Sequence, residues 1–347
     1  MRLKDVHIAS IGVHLGRSVD LAEAVAAGRY DEAEYTANGL VRAVVAEDEF
    51  PADMAVTAVR QAMDRCPVDP ADIRLMLHAS LFFQGQDMWT PASYIQRYTI
   101  GGAAPSIEVD QKSSGGTAAL GLAVSYLSNC DPDSAVLITT ADRFGEPGWD
   151  RFRSESGTVM GDGATATVLT RRPGFARVLS TVLTADPTLE EMYRGDGFKT
   201  AAHSGDKPMD LRRRKKAFMR GRMLELEQIS LRIASGVGDC MRTALEEADT
   251  KLDDVSRVVL PNIGLTVRWW SVLKEMGVER DRTSWDWGRT IGHLGAGDQF
   301  AGLEHLVRQG QVRPGDRVVL AASGHGFNWG AAVVEILDTP DWAATPA

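Results

Sequence analysis

Read only for hydrophobic and polar positions, the chain switches repeatedly between a period of two and a period near 3.6. Residues 5 to 13 alternate polar and apolar as a strand does, and a short apolar stripe at helical spacing covers 19 to 27 after Asp20. DMAVTAVRQAMDR, 53 to 65, predicts an amphipathic helix. IRLMLHAS, 73 to 80, predicts a strand, PASYIQRYTI a helix opened by its proline, and SIEVD, 106 to 110, another short strand. SSGGTAALGLAVSYL is small and apolar around its whole circumference, which suits a helix enclosed on every side. AVLITTAD, 135 to 142, predicts a buried strand, and the glycine-rich GDGATATVLTR, 161 to 171, a hairpin element that closes this half.

A strand over 174 to 183 leads into a second passage of the same kind. It contains helices between about 210 and 248, strand VSRVVLPN at 255 to 262, a tryptophan-rich helix, a helix over 298 to 308 and strand DRVVLAAS at 316 to 323. AVLITTAD followed by GDGATATVLT echoes RVVLAASG followed by NWGAAVVEIL. The pattern therefore predicts an α/β chain of two similar halves, 1–172 and 173–347, layered about a buried central helix.

Composition narrows the classes. At 347 residues, 44% hydrophobic and 24% charged, the chain has the make-up of an ordinary globular protein of one large or two fused units. A net charge of −9 repels nucleic acid backbones and anionic membranes, so neither is an expected partner. The N-terminus lacks the apolar run of a signal peptide and no stretch approaches a membrane span, so the expected location is cytoplasmic. Cys66, Cys130 and Cys240 are far apart and odd in number, which indicates neither a disulfide framework nor a zinc site. The basic run Arg212 to Lys216, with Arg220 and Arg222, reads as a solvated helix face, with a dock for an acidic carrier protein or a coenzyme phosphate as the alternative.

Chemistry concentrates in VDQKSSGGTAAL. A strand ends at Asp110 and the enclosed helix starts a few residues later, so Ser113 and Ser114 sit at a helix N-terminus, whose partial positive charge favours a developing anion. A simple helix cap is the competing reading for either serine. GDGATA lacks the lysine and hydroxyl residue of a nucleotide-binding P-loop.

Asp110 through Leu120, GDGA at 161 to 164 and GHGFNWGAA at 324 to 332 together resemble the thiolase superfamily, specifically its ketoacyl-acyl carrier protein synthase III branch. The resemblance runs over essentially the whole chain. It implies a five-layered αβαβα thiolase fold of two pseudo-repeat halves, a homodimer, and acyl-coenzyme A or acyl carrier protein as substrate and partner, with no permanently bound cofactor or metal. In that family a cysteine attacks an acyl thioester and a histidine and an asparagine assist decarboxylative condensation. Here Ser113 holds the cysteine's place, Asn262 the histidine's and His293 the asparagine's.

A serine hydroxyl is far less acidic than a thiol, and a helix terminus contributes at most about 2 kcal/mol toward ionising it. Ser113 would therefore need a general base. His293, in TIGHLGAGDQF, offers one, and Asp298 would orient it; a loop histidine and a capping aspartate are the bland alternatives. The resemblance places Gly326 in the oxyanion hole through its backbone, beside the Ser113 amide; Asn262 would bind a substrate carbonyl or pantetheine, or be a plain loop asparagine. Trp269, Trp270, Trp285 and Trp287 would line a tunnel or pack in the core. The implied reaction is acyl transfer through an acyl-serine to a carrier protein or natural-product acceptor. A priming ketosynthase for polyketide starter units, a catalytically silent ketosynthase partner and a thioester hydrolase are its rivals.

Overall fold

The computed structural model describes residues 5–195, 208–220, 222 and 225–344. Its strands are β1 (His7–Leu15), β2 (Arg17–Asp20), β3 (Arg42–Val45), β4 (Ile73–Ala79), β5 (Ser106–Val109), β6 (Ala135–Asp142), β7 (Gly163–Thr170), β8 (Ala176–Ala185), β9 (Val255–Val259), β10 (Arg317–Gly324) and β11 (Asn328–Ile336). Apart from the β2–β3 ribbon they follow one order, β5-β4-β6-β7-β1-β8-β11-β10-β9. β1 and β8 meet at only two residue pairs, His7 with Arg177 and Ile8 with Ala176, so the nine strands behave as two sheets joined at a corner. On each side of that corner a parallel pair (β4 with β6, β9 with β10) is followed by an antiparallel one (β6 with β7, β10 with β11). This is the internal echo heard in the sequence.

Helices Gly115–Leu127 and Asp298–Arg308 lie between the two sheets and touch strands of both. Helix Pro51–Asp64 covers the outer face of the first sheet and helix Leu226–Glu247 that of the second. The five layers αβαβα follow. Enclosure explains the residue patterns: β6 and β7 are buried at every position because helices cover both their faces, so they read as continuous apolar-and-threonine runs. The central helix must fit between sheets and against its partner helix, which small residues permit. At Gly116 a Cβ would stand 2.4 Å from the Ala296 carbonyl oxygen.

Helix Pro51–Asp64 starts on its proline and buries Met54, Ala55, Ala58, Val59 and Ala62, one stripe at helical spacing. Asp20 caps the following helix, Leu21–Ala26, accepting from the Ala22 N–H at 2.8 Å. One expectation changes. GDGATATVLTR is a single strand, β7, bonded on one side to β6 and on the other to β1, rather than a hairpin. The helices expected between 210 and 248 are Leu211–Met219 and Leu226–Glu247. The 172/173 boundary between the expected halves falls in the short turn from β7 to β8. Among the described residues no helix is long and apolar enough to cross a membrane.

Candidate active site

β5 ends at Val109, the chain makes a tight turn over Lys112–Ser114, and the central helix begins at Gly115. This turn sends the two serine hydroxyls in opposite directions. Ser113 Oγ lies 2.8 Å from His293 Nε2. Ser114 Oγ donates instead to the Gln111 carbonyl (3.0 Å) and contacts the Asn328 side chain, away from the imidazole. The structure thus brings Ser113, not Ser114, to the histidine.

His293 Nδ1 donates to Asp298 Oδ2 at 2.5 Å. A carboxylate oxygen accepts, so the proton sits on Nδ1 and Nε2 is left to receive the Ser113 hydroxyl proton. Asp298 is fully buried and surrounded by donors: Oδ1 accepts from the Leu294 N–H (2.8 Å) and Asn262 Nδ2 (3.0 Å), and Oδ2 from the Asn262 N–H (2.9 Å) as well as the imidazole. Asp298 is the first residue of its helix, and the helix N-terminus adds to this stabilisation. Burial opposes the imidazolium of His293, but the charge and hydrogen bond of Asp298, helped by the charges of Asp142 and Glu155, outweigh it and raise its pKa above the usual histidine value.

The loop 292–297 is held from several sides. The His293 N–H donates to the Val159 carbonyl and the Gly161 N–H to the His293 carbonyl, both at 2.9 Å, so the residues leading into β7 back the histidine. Gly295 has φ 63°, and a Cβ there would stand 2.1 Å from Asp142 Oδ2. Asp142, at the end of β6, accepts from the Leu81, Phe82 and Ala296 N–H groups. Full burial pushes its carboxyl up to about 7 despite these donors. In the sequence the only signal for Asp142 is a charge closing an otherwise uncharged buried strand.

Asn262 does not meet substrate space as expected. Both its side-chain hydrogens are committed, to Asp298 Oδ1 and to the Gly292 carbonyl (2.9 Å), and it is 2% exposed. Its neighbours Pro261 and Ile263 line the cavity in its place. That cavity, about 220 Å³, is also bordered by Ser113, His293, Met160, Met192, Val267 and Trp269. Of the four tryptophans in question only Trp269 faces it: Trp285 packs edge-on against Trp270, and Trp287 stacks on His305. Gly326, with φ 134°, stands between His325 and Phe327, which both line the cavity. His325 stacks on Tyr193 with ring centres 3.5 Å apart, and burial first, then the cations Lys215, His293 and Lys112, hold its pKa well below the usual value.

The basic run is not a solvated face. Arg212 pairs with Glu34 (2.8 Å), Arg214 donates to the Tyr193 carbonyl (2.8 Å) and Lys215 pairs with Glu155 (2.7 Å), while Arg213 and Lys216 alone of the run 212–216 face water.

A buried serine, histidine and aspartate joined in this order form a proton relay able to activate a hydroxyl nucleophile. The chain is similar to known proteins over nearly its full length. The family described as 3-oxoacyl-[acyl-carrier-protein (ACP)] synthase III matches residues 107–187, and its C-terminal region matches 245–336. The solved structure of ChlB3, described as an acyltransferase, is 34% identical, covers 97% of this chain and 99% of its own, and superimposes with a TM-score of 0.90. The chain belongs to the ketoacyl-acyl carrier protein synthase III-like family of the thiolase superfamily.

Members of this synthase III-like family are acyltransferases and condensing enzymes. The β-ketoacyl-[acyl-carrier-protein] synthase III of Aquifex aeolicus is 25% identical over 332 residues, 94% of this chain and 98% of its own length. The priming β-ketosynthase of the R1128 polyketide pathway shares the fold, with a TM-score of 0.76 at 21% identity, covering 96% of this chain and 97% of its own.

Proposed function

We propose that this synthase III-like protein is an acyltransferase that forms an acyl-serine at Ser113 and passes the acyl group to a second acceptor. The observation that carries this reading is the unbroken line Ser113 Oγ, His293, Asp298, which runs from the N-terminus of the central helix to that of helix Asp298–Arg308. Ser113 Oγ attacks the carbonyl carbon of an acyl-coenzyme A or acyl carrier protein thioester and its proton passes to His293 Nε2. The C–S bond breaks and the proton goes on to the departing sulfur. The acceptor, a carrier-protein thiol or a hydroxyl or amine of a natural product, then gives its proton to Nε2 and attacks the ester carbonyl. The C–Oγ bond breaks and Ser113 recovers its proton. The Ser113 and Gly326 amides are the donors assigned to the oxyanion.

Transfer is favoured over condensation with malonyl-carrier by two features. His293 is committed as a base by Asp298, and the Asn262 side chain is turned away from the cavity. Completeness of the relay also counts against a silent partner. A homodimer is supported by β5, which ends the sheet with its outer edge open among the described residues and Ile107 49% exposed. To test the reading, enzyme is loaded from a panel of acyl-coenzyme A donors and then given carrier protein, free or carrying malonate. Acyl transfer without release of CO₂ is expected; a 3-ketoacyl product with CO₂ would overturn it in favour of the priming ketosynthase.

A further inference from the structure

The wall of the cavity facing helix Leu211–Met219 is unlike the rest. Most of the lining is apolar: Met160, Met192, Ile233, Ile263, Val267 and Phe327. Against it stand Glu155, 6% exposed, and Lys215, whose Nζ is 2.7 Å from Glu155 Oε1. The same ammonium lies 4.9 Å from the centre of the Tyr193 ring. Thr158 is 9% exposed, and its hydroxyl is buried with no hydrogen-bond partner among the described residues.

An orphaned buried hydroxyl is costly, and an ion pair on the edge of an apolar cavity gains less than an apolar replacement unless something else uses it. Ligand recognition would account for both. Lys215 donates, Glu155 accepts and Thr158 does either, so a group that both donates and accepts satisfies the wall, and a hydroxyl is such a group. A carboxylate would meet the charge of Glu155, and an ammonium that of Lys215. Size sets a second limit. A cavity of about 150 Å³ holds benzene, so about 220 Å³ admits a compact acyl unit and not a long fatty chain.

Building on the acyl-serine reading, we infer that Glu155, Thr158 and Lys215 form a subsite for a hydroxyl group on a compact acyl unit carried at Ser113. Tyr193 holds the ammonium in place with its ring, and His325 stacks behind it. The three residues are specificity determinants and take no part in the bond changes.

The test measures loading alone, without acceptor, by intact-protein mass. Probes are 3-hydroxybutyryl against butyryl, 3-hydroxybenzoyl against benzoyl, and succinyl, each offered on coenzyme A and on a carrier protein. In at least one pair the hydroxylated donor loads about tenfold faster or more, and succinyl loads more slowly than that donor. Thr158→Val and Lys215→Met each bring that ratio close to one. Thr158→Val removes a hydroxyl that has no partner among the described residues, so it folds at least as well as the parent and keeps the test open if Lys215→Met loosens its helix. Loading without preference, a preference for succinyl, a preference seen only in transfer to acceptor, or variants that slow both donors of a pair equally would each overturn the subsite. Failure of every donor to load would instead overturn the acyl-serine reading beneath it.

Discussion

Replacing Asp298 by asparagine tests the relay at its most constrained member. The carboxylate accepts four N–H groups, two on each oxygen: Leu294 N–H and Asn262 Nδ2 on Oδ1, Asn262 N–H and His293 Nδ1 on Oδ2. An asparagine amide must place its NH₂ at one of the two positions, so whichever way it turns, two donors face a donor. Each unmet buried group costs about 1–3 kcal/mol, so the variant loses about 2–6 kcal/mol before relaxation. The chemical effect is separate. If the NH₂ faces His293, the Nδ1 proton moves to Nε2 and the imidazole can no longer accept from Ser113. In serine triads this exchange costs about 10⁴ in rate, and a fall of about 10³–10⁴ in acyl loading is expected here. The assay is the time course of acyl-enzyme formation by intact mass, at a temperature where circular dichroism shows the variant folded. Loading within about tenfold of the parent by a folded Asp298→Asn protein would refute the relay.

Because Asp298, Asp142 and Glu155 together raise the His293 pKa against the effect of burial, protonation disables the base at a higher pH than usual. The rate of Ser113 loading is therefore expected to fall as pH drops, with a midpoint above the ordinary histidine value of about 6.5; a midpoint below it, measured by stopped-time mass spectrometry, would contradict the geometry. Gly295→Ala places a Cβ 2.1 Å from Asp142 Oδ2 at a backbone φ of 63°. The strained backbone alone costs about 1–3 kcal/mol. A lower melting temperature and slower loading are expected together, and an unchanged melting curve would show that the loop 292–297 is not held as described.

The layers were legible in the sequence because burial on both faces leaves a plain mark: β6, β7, β10 and β11 are largely small-and-branched runs, and the central helix has no polar side, although it is not enclosed on every side as expected, since Leu122 and Tyr126 are exposed. Glycines and a strand-to-helix junction frame Ser113, His293 and Asp298, but it was the family resemblance that singled them out over a helix cap, a loop histidine and a capping aspartate. What pattern could not supply was the direction of polar side chains brought from afar. Asn262 looked like a substrate ligand but is spent on Asp298, 36 residues on. Arg212 and Lys215 looked like a wet helix face, yet their acidic partners, Glu34 and Glu155, lie far back in the chain and turn that face inward. GDGA looked like a hairpin because its glycines suggest a turn; they serve instead to let β7 pass close under the Ile291 carbonyl and the His14 carbonyl.

The central claim is that Ser113 carries the acyl group, and peptide mapping of the acylated protein tests it most directly. After mixing with acyl-coenzyme A or acyl-carrier donors, one acyl mass is expected on the peptide containing Ser113, absent from Ser113→Ala and His293→Ala and retained in Ser114→Ala. An adduct that persists in Ser113→Ala, or no adduct with any donor, would contradict the account.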